Sequence, residues 1–185
     1  ELRIGEVWKA CITPNDGIAD GLQNCSNNLT ILDRLPIVQN VTLNSTFGTN
    51  TTSENLTVYW NAYDADNDSI KNITNWYRNG NSIMVLNSPF VGGSNATFTK
   101  DYSPFGNNGT VYGATWNSSG GLQNDGAYEF DGSNDYIDFG NPTSVNLTTN
   151  ISLEVWVRLN SKPVSAFPRI VSKLSSSYYG YELLI

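Results

Sequence analysis

The sequence predicts an all-β fold, and three observations carry this prediction. No stretch places apolar residues at the i, i+3, i+4 and i+7 positions of an amphipathic helix over three turns. Several short runs instead alternate apolar and polar residues, which is the pattern of half-buried strands. Gly, Asn, Asp and Pro residues bound these runs and supply the turns between strands. The spacing of the runs is typical of β-sandwiches.

Alternating runs recur along the whole chain. The clearest is 151–159, whose apolar face carries Ile151, Leu153, Val155, Val157 and Leu159. The other predicted strands are, in chain order, residues 7–13, 37–43, 56–62, 70–77, 83–86, 127–130, 136–139 and 169–174, and a last one begins at 183–185.

Cys11 and Cys25 are the only cysteines in the chain. Turn-forming residues lie between them, among them Pro14, Asn15 and Gly17, so a hairpin would bring the two thiols together. A disulfide that closes so short a loop adds about 3 kcal/mol of stability and indicates an oxidising compartment. The alternative is a pair of buried free thiols.

The N-glycosylation sequon, Asn-x-Ser/Thr with x other than Pro, occurs 13 times. Chance pairing of 25 Asn with 35 Ser and Thr in 185 residues would give about 5, so the motif is enriched. Sequons mark exposed positions of secreted chains; the alternative is coincidence in an Asn- and Thr-rich β protein. In the predicted strand 37–43, alternation places Asn40 opposite the face of Ile37, Val41 and Leu43. The sequon asparagines are Asn24, Asn28, Asn40, Asn44, Asn50, Asn55, Asn67, Asn72, Asn95, Asn108, Asn117, Asn146 and Asn150.

Composition excludes several classes of partner. The net charge is −7 and the chain has no His, so it repels phosphate and lacks the commonest zinc ligand and general base. Nucleic acid is therefore not an expected partner. No apolar run reaches the 18 residues of a membrane-spanning helix, so no membrane contact is predicted within these residues. Because the chain starts at Glu1 and stops inside an apolar run, we expect it to be part of a longer protein.

Two stretches in the first half carry a resemblance to a known family. Residues 5–17 read Gly-Glu-Val-Trp-Lys-Ala-Cys-Ile-Thr-Pro-Asn-Asp-Gly. Further on, Leu56, Val58 and Trp60 lead into the acidic loop 64–68 and then Trp-Tyr-Arg-Asn-Gly. The first stretch resembles the closing hairpin of the tandem immunoglobulin-like repeats of archaeal and bacterial surface proteins. The second is similar to the opening strands of the next such repeat.

The second half resembles a different family. Its motifs are Lys-Asp-Tyr-Ser at 100–103, Gly-Asn-Asn-Gly at 106–109, Gly-Ala-Tyr-Glu-Phe-Asp-Gly at 126–132 and Asp-Tyr-Ile at 135–137. Together with 151–157 these are similar to a laminin G-type, concanavalin A-like lectin module. The family needs a longer chain to complete its two sheets, so the resemblance implies an incomplete jelly-roll sandwich.

The resemblances imply three regions. Residues 1–33 would be the closing hairpin of one immunoglobulin-like repeat, 36–82 the opening strands of a second, and 83–185 an incomplete lectin-like module. We expect such a chain not to close its hydrophobic core alone, because each apolar face needs an opposing sheet.

Calcium is the only cofactor that the sequence suggests, at two acidic sets. Asp64, Asp66 and Asp68 alternate in a loop, a spacing that lets carboxylates converge on a hard cation. The alternative is that they shape the turn through side-chain hydrogen bonds, since the full EF-hand pattern is absent. Asp131 and Asp135 fall where relatives of the lectin-like module gather oxygen ligands, which is an implication of the resemblance alone.

Aromatic residues are the candidates for ligand contact. Tyr112 and Trp116 are the candidates for ligand contact, since aromatic rings can stack on sugars; the alternative is that they are core residues or cross-strand pairs, as such rings often are in sandwiches. Trp8, Trp60 and Trp156 are assigned to the core or to cross-strand pairs.

Catalysis is not expected. The Glu-Phe-Asp-Gly-Ser run at 129–133 lacks the second Glu that a glycosidase strand of the related laminarinase type would supply. Without His or a Gly-x-Ser-x-Gly turn, the chain offers no hydrolytic triad.

These expectations describe a non-catalytic segment of an extracellular or cell-surface glycoprotein, with an adhesive or structural role and glycans as candidate ligands. One alternative is a filament subunit whose copies complete one another by strand addition, with residues 5–32 of one copy pairing with the sheet at 37–77 of the next. Another is the ancillary carbohydrate-binding part of a secreted glycosidase.

Overall fold

The computed structural model describes residues 2–160, 168–174 and 180–185, and they form an all-β fold, which confirms the predicted class. Contacts divide the chain into two compact units, Glu1–Asn72 and Ile73–Ile185. Among the described residues, no helix has the length and apolar character needed to cross a membrane.

The first unit contains six strands, all in antiparallel pairs. The amino-terminal four fold into one irregular hairpin, in which the first strand pairs with the fourth and the second with the third. The predicted strand 7–13 is therefore split in two, and Ala10 at the break donates its N–H to the hydroxyl of Ser26. These strands are β1 (Val7–Trp8), β2 (Cys11–Ile12), β3 (Asn24–Cys25), β4 (Leu29–Thr30), β5 (Ile37–Ser45) and β6 (Leu56–Tyr63).

A β-bulge interrupts the β5–β6 hairpin. The register shifts between Gln39 and Thr42, so that both Asn40 and Val41 stand opposite Trp60. Asn40 has a φ of 54°, in the left-handed region that Asn tolerates better than most residues do. The bulge inserts one extra residue into β5 and so reverses the alternation of its side chains.

This reversal corrects a prediction about β5. Ile37 pairs with Tyr63, whereas Leu43 pairs with Val58. Positions 63 and 58 lie on opposite faces of β6, so Ile37 and Leu43 also lie on opposite faces of the hairpin. The prediction that Ile37, Val41 and Leu43 share one face is therefore wrong.

The bulge sorts the hairpin into an apolar and a polar face. On the apolar face, Leu43 is 55% exposed and Leu56 is 58% exposed, so the described residues leave this surface largely uncovered. The apolar face carries Val38, Leu43, Leu56, Val58, Trp60 and Ala62; the polar face carries Gln39, Thr42, Asn44, Thr57, Tyr59 and Asn61, with Ile37 and Tyr63 at its end.

The described residues of the second unit form nine short strands and two turns of 3-10 helix. Its largest sheet has the order β13, β10, β9, and β11 pairs with β12, β14 with β15 and β7 with β8. The strands are β7 (Tyr77–Arg78), β8 (Asn81–Ser82), β9 (Phe98–Thr99), β10 (Gly109–Tyr112), β11 (Thr115–Asn117), β12 (Ala127–Glu129), β13 (Tyr136–Asp138), β14 (Arg169–Leu174) and β15 (Gly180–Leu184). The 3-10 turns are Leu122–Asn124 and Thr143–Val145.

The core of the second unit is built around Tyr128. Its ring packs edge-on against Phe90, with centroids 5.0 Å apart, and Val111 and Ala114 are buried beside it. The Tyr128 hydroxyl donates to the backbone carbonyl oxygens of residues 95 and 98, at 2.8 and 3.0 Å, so its one polar atom is satisfied. Trp116 and Ile137 pack against the edge of this cluster.

Residues 83–86 form no strand, which corrects a second prediction. The Val85 carbonyl oxygen accepts hydrogen bonds from Asn107 Nδ2 at 2.7 Å and from Ser103 Oγ at 3.3 Å. The Asn87 N–H donates to Asp101 Oδ1 at 2.8 Å. Side chains of a later loop thus satisfy backbone groups here that a neighbouring strand would otherwise pair. The predicted strand 70–77 is likewise reduced to its last residue, within β7.

Residues 151–159 also form no strand, although their alternation is the clearest in the sequence. The five apolar residues of this segment are 38–53% exposed, and Trp156, assigned to packing, is 78% exposed. A strand is stable only when a neighbour completes its hydrogen bonds, and none of the described strands pairs with this segment. The predictions of strands at 127–130, 136–139, 169–174 and 183–185 are confirmed to within a few residues as β12 to β15.

Candidate functional site

The predicted disulfide is present and joins two facing strands. Cys11 on β2 and Cys25 on β3 are direct cross-strand partners, and their Cα atoms are 4.0 Å apart. The sequence brings them together because the residues between them form a compact turn. A disulfide of this kind stabilises the hairpin by about 3 kcal/mol. Strands of two residues each would not keep the hairpin closed without it.

Side chains of the enclosed loop organise its turn. Asp16 Oδ1 accepts the N–H groups of Ile18 and Ala19, each at 2.9 Å, and Asn15 Oδ1 accepts the N–H of Gly17 at 2.7 Å. The N–H groups of Ala19 and Ile18 hold the pKa of Asp16 below its ordinary value. The loop is therefore a hydrogen-bonded turn closed by the disulfide.

The 13 sequon asparagines are all exposed, across both units. Not every asparagine of this chain is exposed: Asn107, next to the sequon residue Asn108, is only 8% exposed. Asn107 lies outside any sequon, since Gly109 occupies the position that Ser or Thr would need. Every sequon therefore presents its side chain where a glycan could be attached without entering the core.

Three sequons lie around the tip of the β5–β6 hairpin, and Glu54 organises this tip. Its carboxylate accepts the N–H of Phe47 at 2.9 Å, the N–H and hydroxyl of Thr51 at 3.2 and 2.9 Å, and the hydroxyl of Thr49. Hydrogen bonds from Ser45, Thr49 and Phe47 hold the pKa of Glu54 well below its usual range. The sequon residues around this tip are Asn44, Asn50 and Asn55.

The acidic set at 64–68 is engaged by its own backbone and by an arginine. Asp64 Oδ1 accepts the N–H groups of Asp66 and Asp68, at 2.8 and 3.3 Å. Asp66 accepts the backbone N–H of Arg34 at 2.9 Å and lies 3.4 Å from its guanidinium Nε. These contacts agree with the alternative interpretation, in which the aspartates shape the turn through side-chain hydrogen bonds.

The second acidic set forms the turn between β12 and β13. Asp135 Oδ2 accepts the N–H of Asp131 at 2.8 Å, and Asp131 Oδ1 accepts the N–H of Ser133 at 2.7 Å. Asp135 also lies against Gly113, where an added Cβ would meet Oδ1 at 2.0 Å. In the part of the chain that the structure describes, no group of three or more His, Cys, Asp or Glu side chains is placed to bind a metal. Calcium at either set stays a prediction from sequence.

The two predicted ligand aromatics lie on different sheets and have different surroundings. Tyr112 on β10 stacks on Tyr136 of β13, with centroids 4.6 Å apart and planes 18° from parallel, and both rings are about half exposed. Trp116 on β11 is half-buried, and its indole N–H donates to the Phe90 carbonyl at 2.9 Å. The structure thus gives Tyr112 a partner that sequence reasoning missed and ties Trp116 to the core.

Sequence reasoning also missed the role of Asp101, which is 3% exposed. Its carboxylate accepts the N–H groups of Asn87, Ser103 and Asn107, at 2.8, 2.8 and 2.7 Å, and the Ser103 hydroxyl at 2.7 Å. Four donors without a cation satisfy a buried carboxylate well. The signal was the Asp-x-Ser-x-x-x-Asn spacing within the lectin-like motifs, whose three polar residues are all buried here.

Comparison with known proteins adds no family: no protein-family model, no curated protein and no solved structure matches this chain.

Proposed function

We propose that this chain is a non-catalytic segment of an extracellular or cell-surface glycoprotein with an adhesive or structural role. The observation that carries the proposal is the exposure of all 13 sequon asparagines. Glycans at these positions would supply the hydrophilic surface that a chain with only 15% charged residues otherwise lacks. The Cys11–Cys25 disulfide supports an oxidising compartment independently of the sequons.

The location is tested on intact cells of the source organism. Brief treatment with a protease that cannot enter the cell should release peptides of this chain, detected by mass spectrometry, while cytoplasmic marker proteins stay intact. Recovery of the intact chain in the spent medium would equally support the proposal. Peptides that appear only after the cells are lysed would contradict it.

Within this role, we propose that the second unit binds glycans through the Tyr112–Tyr136 pair. The outward face of the β13, β10, β9 sheet carries both rings, and Tyr112 and Tyr136 are 45% and 52% exposed. Flat aromatic surfaces of this kind suit the apolar faces of sugar rings, and Thr110 and Asp138 beside them can accept or donate hydrogen bonds. Trp116 is left out of this set because its indole N–H is already bonded to Phe90.

A glycan array separates this binding from non-specific adhesion. Tyr112→Ala should lower the signal on bound glycans about tenfold, which corresponds to the loss of about 1.4 kcal/mol. Tyr59→Ala removes a similarly exposed ring from the first unit and should leave the signal unchanged. Equal signals from both variants would contradict the assignment of the site.

A second candidate function is assembly of copies through strand addition, and the exposed apolar face of the β5–β6 hairpin favours it. Apolar surface left in water costs about 25 cal/mol per Å², so a second copy that covers this face stabilises the assembly. The occupant we propose is the disulfide hairpin of another copy, whose exposed side chains include Ile12, Leu22 and Leu29. Unpaired edges of β5 and β6 would accept its backbone.

Sedimentation velocity over a range of protein concentrations tests this assembly. The wild-type chain should associate, and Leu43→Glu on the apolar face should shift it toward monomer. Gln39→Glu introduces the same charge on the polar face and serves as the control. A wild-type chain that stays monomeric at every concentration would exclude the second candidate.

A further inference from the structure

The sequon Asn24-Cys25-Ser26 differs from the other twelve, because its middle residue is a disulfide cysteine. Asn24 and Cys25 form β3, and they face Ile12 and Cys11 on β2. Folding of this hairpin and closure of the disulfide therefore fix the backbone of this sequon.

Contacts within the closed hairpin also occupy the polar groups of the sequon. The Ser26 hydroxyl accepts the N–H of Ala10 at 3.1 Å and donates to the Asn27 carbonyl at 2.8 Å. The Ser26 N–H donates to the Ala10 carbonyl at 2.8 Å. Asn24 Oδ1 accepts the N–H of Cys25 at 2.9 Å. A transferase that must bind the hydroxyl and an extended sequon backbone would have to open all of these contacts.

We propose that Asn24 accepts a glycan only while Cys25 is reduced, so that oxidation of the hairpin determines the occupancy of this sequon. The donor is a lipid-pyrophosphate-linked oligosaccharide. Asn24 Nδ2 forms a bond to the anomeric carbon of the sugar, the bond from that carbon to the pyrophosphate oxygen breaks, and the lipid pyrophosphate leaves. The proton of the amide passes to a base of the transferase.

The disulfide is the controlling element because the ladder around it is short. β2 and β3 contain two residues each, and so small a ladder is marginal in water without a covalent link. A reduced hairpin therefore opens and exposes Ser26 and the backbone around Asn24, whereas an oxidised one does not. Sugar addition at Asn24 must then precede closure of the disulfide, and fast oxidation leaves Asn24 bare. This inference rests on the proposed extracellular, glycosylated state of the chain.

Glycopeptide mass spectrometry of the full chain, secreted from a host that adds N-glycans, tests the inference. Cys11→Ser keeps the Asn24 sequon intact but removes the disulfide, and it should raise the occupancy of Asn24 about twofold or more. Wild-type chain secreted in the presence of dithiothreitol should show the same rise with no residue changed. Asn117 and Asn146, in the second unit, are the internal controls and should not change.

The outcomes separate the inference from the proposed function. Equal occupancy of Asn24 in wild type and Cys11→Ser, with sugar present at Asn117, would overturn the inference alone. A parallel rise at Asn117 and Asn146 would also overturn it, because general misfolding and not the hairpin would then control occupancy. Sugar at none of the 13 sequons would contradict the proposed function and the inference with it.

Discussion

Asp101 shows at the residue scale how one buried carboxylate organises a loop. Three of its four hydrogen bonds come from Ser103 and Asn107 and organise the loop 101–107, and the fourth, from the Asn87 N–H, joins this loop to the segment before it. Ser103 and Asn107 also donate to the Val85 carbonyl. Side chains pair with the Met84 N–H, the Val85 carbonyl and the Asn87 N–H, and the Ile83 N–H donates to the Trp76 carbonyl, so these groups are satisfied without a strand ladder.

Asp101→Asn should destabilise the chain by about 2–3 kcal/mol. The substitution removes the negative charge that strengthens four hydrogen bonds. The new NH₂ group also faces N–H and O–H donors, from which it cannot accept a hydrogen bond. Urea unfolding followed by tryptophan fluorescence measures this change. Glu129→Gln makes the same carboxylate-to-amide replacement at an exposed position and should cost less than about 0.5 kcal/mol. Equal costs for the two variants would contradict the role given to Asp101.

Gly126 makes a second residue-scale prediction. An added Cβ would lie 1.8 Å from the Phe90 carbonyl oxygen, which accepts the Trp116 indole N–H. Gly126→Ala should therefore displace Phe90 and cost about 2–3 kcal/mol in urea unfolding. Gly92→Ala is the matched control, because its Cβ would meet only the Tyr102 hydroxyl at an ordinary 3.5 Å. A tolerated Gly126→Ala would show that the backbone contact at Phe90 is absent in solution.

At the scale of elements, the β5–β6 hairpin shows how one bulge determines which side chains share a face. One bulge at Asn40 and Val41 reverses the alternation of β5 and brings Val38 and Leu43 onto the same face as Val58. At the other end, Glu54 ties the tip loop together through its carboxylate. The hairpin thus presents an apolar face and a tip that carries three exposed sequon asparagines.

The tip should loosen in acid. The pKa of Glu54 is depressed by hydrogen bonds that need the charged form, first from Ser45 and then from Thr49 and Phe47. Because the pKa of Glu54 is lower in the folded chain than its ordinary value of 4.5 in the unfolded chain, these hydrogen bonds stabilise the fold fully above pH 4.5. This stabilisation is lost as the pH falls through the lower pKa of the folded chain. In an NMR titration, the Phe47 and Thr51 amide signals should move with a midpoint well below 4.5. Glu54→Gln should abolish this movement, and a midpoint at the ordinary value in the wild type would contradict the contacts.

Local patterns predicted the elements that find their partner nearby. The strands at 56–62, 136–139 and 169–174 alternate and have a neighbour in the same unit, and the cysteine pair flanks a single turn. The strand predicted at 151–159 failed because alternation shows what a strand could bury but not whether a neighbour is present. The bulge was also invisible, since an alternating pattern assumes a strict period of two. The Asp-x-Ser-x-x-x-Asn spacing was a local signal for Asp101, but the hydrogen bond from Asn87, 14 residues earlier, could not be predicted from it.

Across the whole molecule, the buried apolar side chains among the described residues all lie in the second unit. Among the described residues, those buried are Val91, Val111, Ala114, Tyr128 and Val145, whereas the first unit buries only Ser45. The first unit is held instead by the disulfide, the ladders and side-chain hydrogen bonds. Under the proposed function, glycans on its eight sequons or association with other copies would cover its surface.

Mass spectrometry of the native chain, before and after enzymatic removal of N-glycans, tests whether the chain is glycosylated and its disulfide closed. The account predicts that most of the 13 sequon asparagines carry sugar and that Cys11 and Cys25 resist alkylation until a reductant is added. Asn107 should carry none, because it is buried and lies outside any sequon. A native chain whose mass equals that of the bare polypeptide, or whose two thiols alkylate without reduction, would contradict the account.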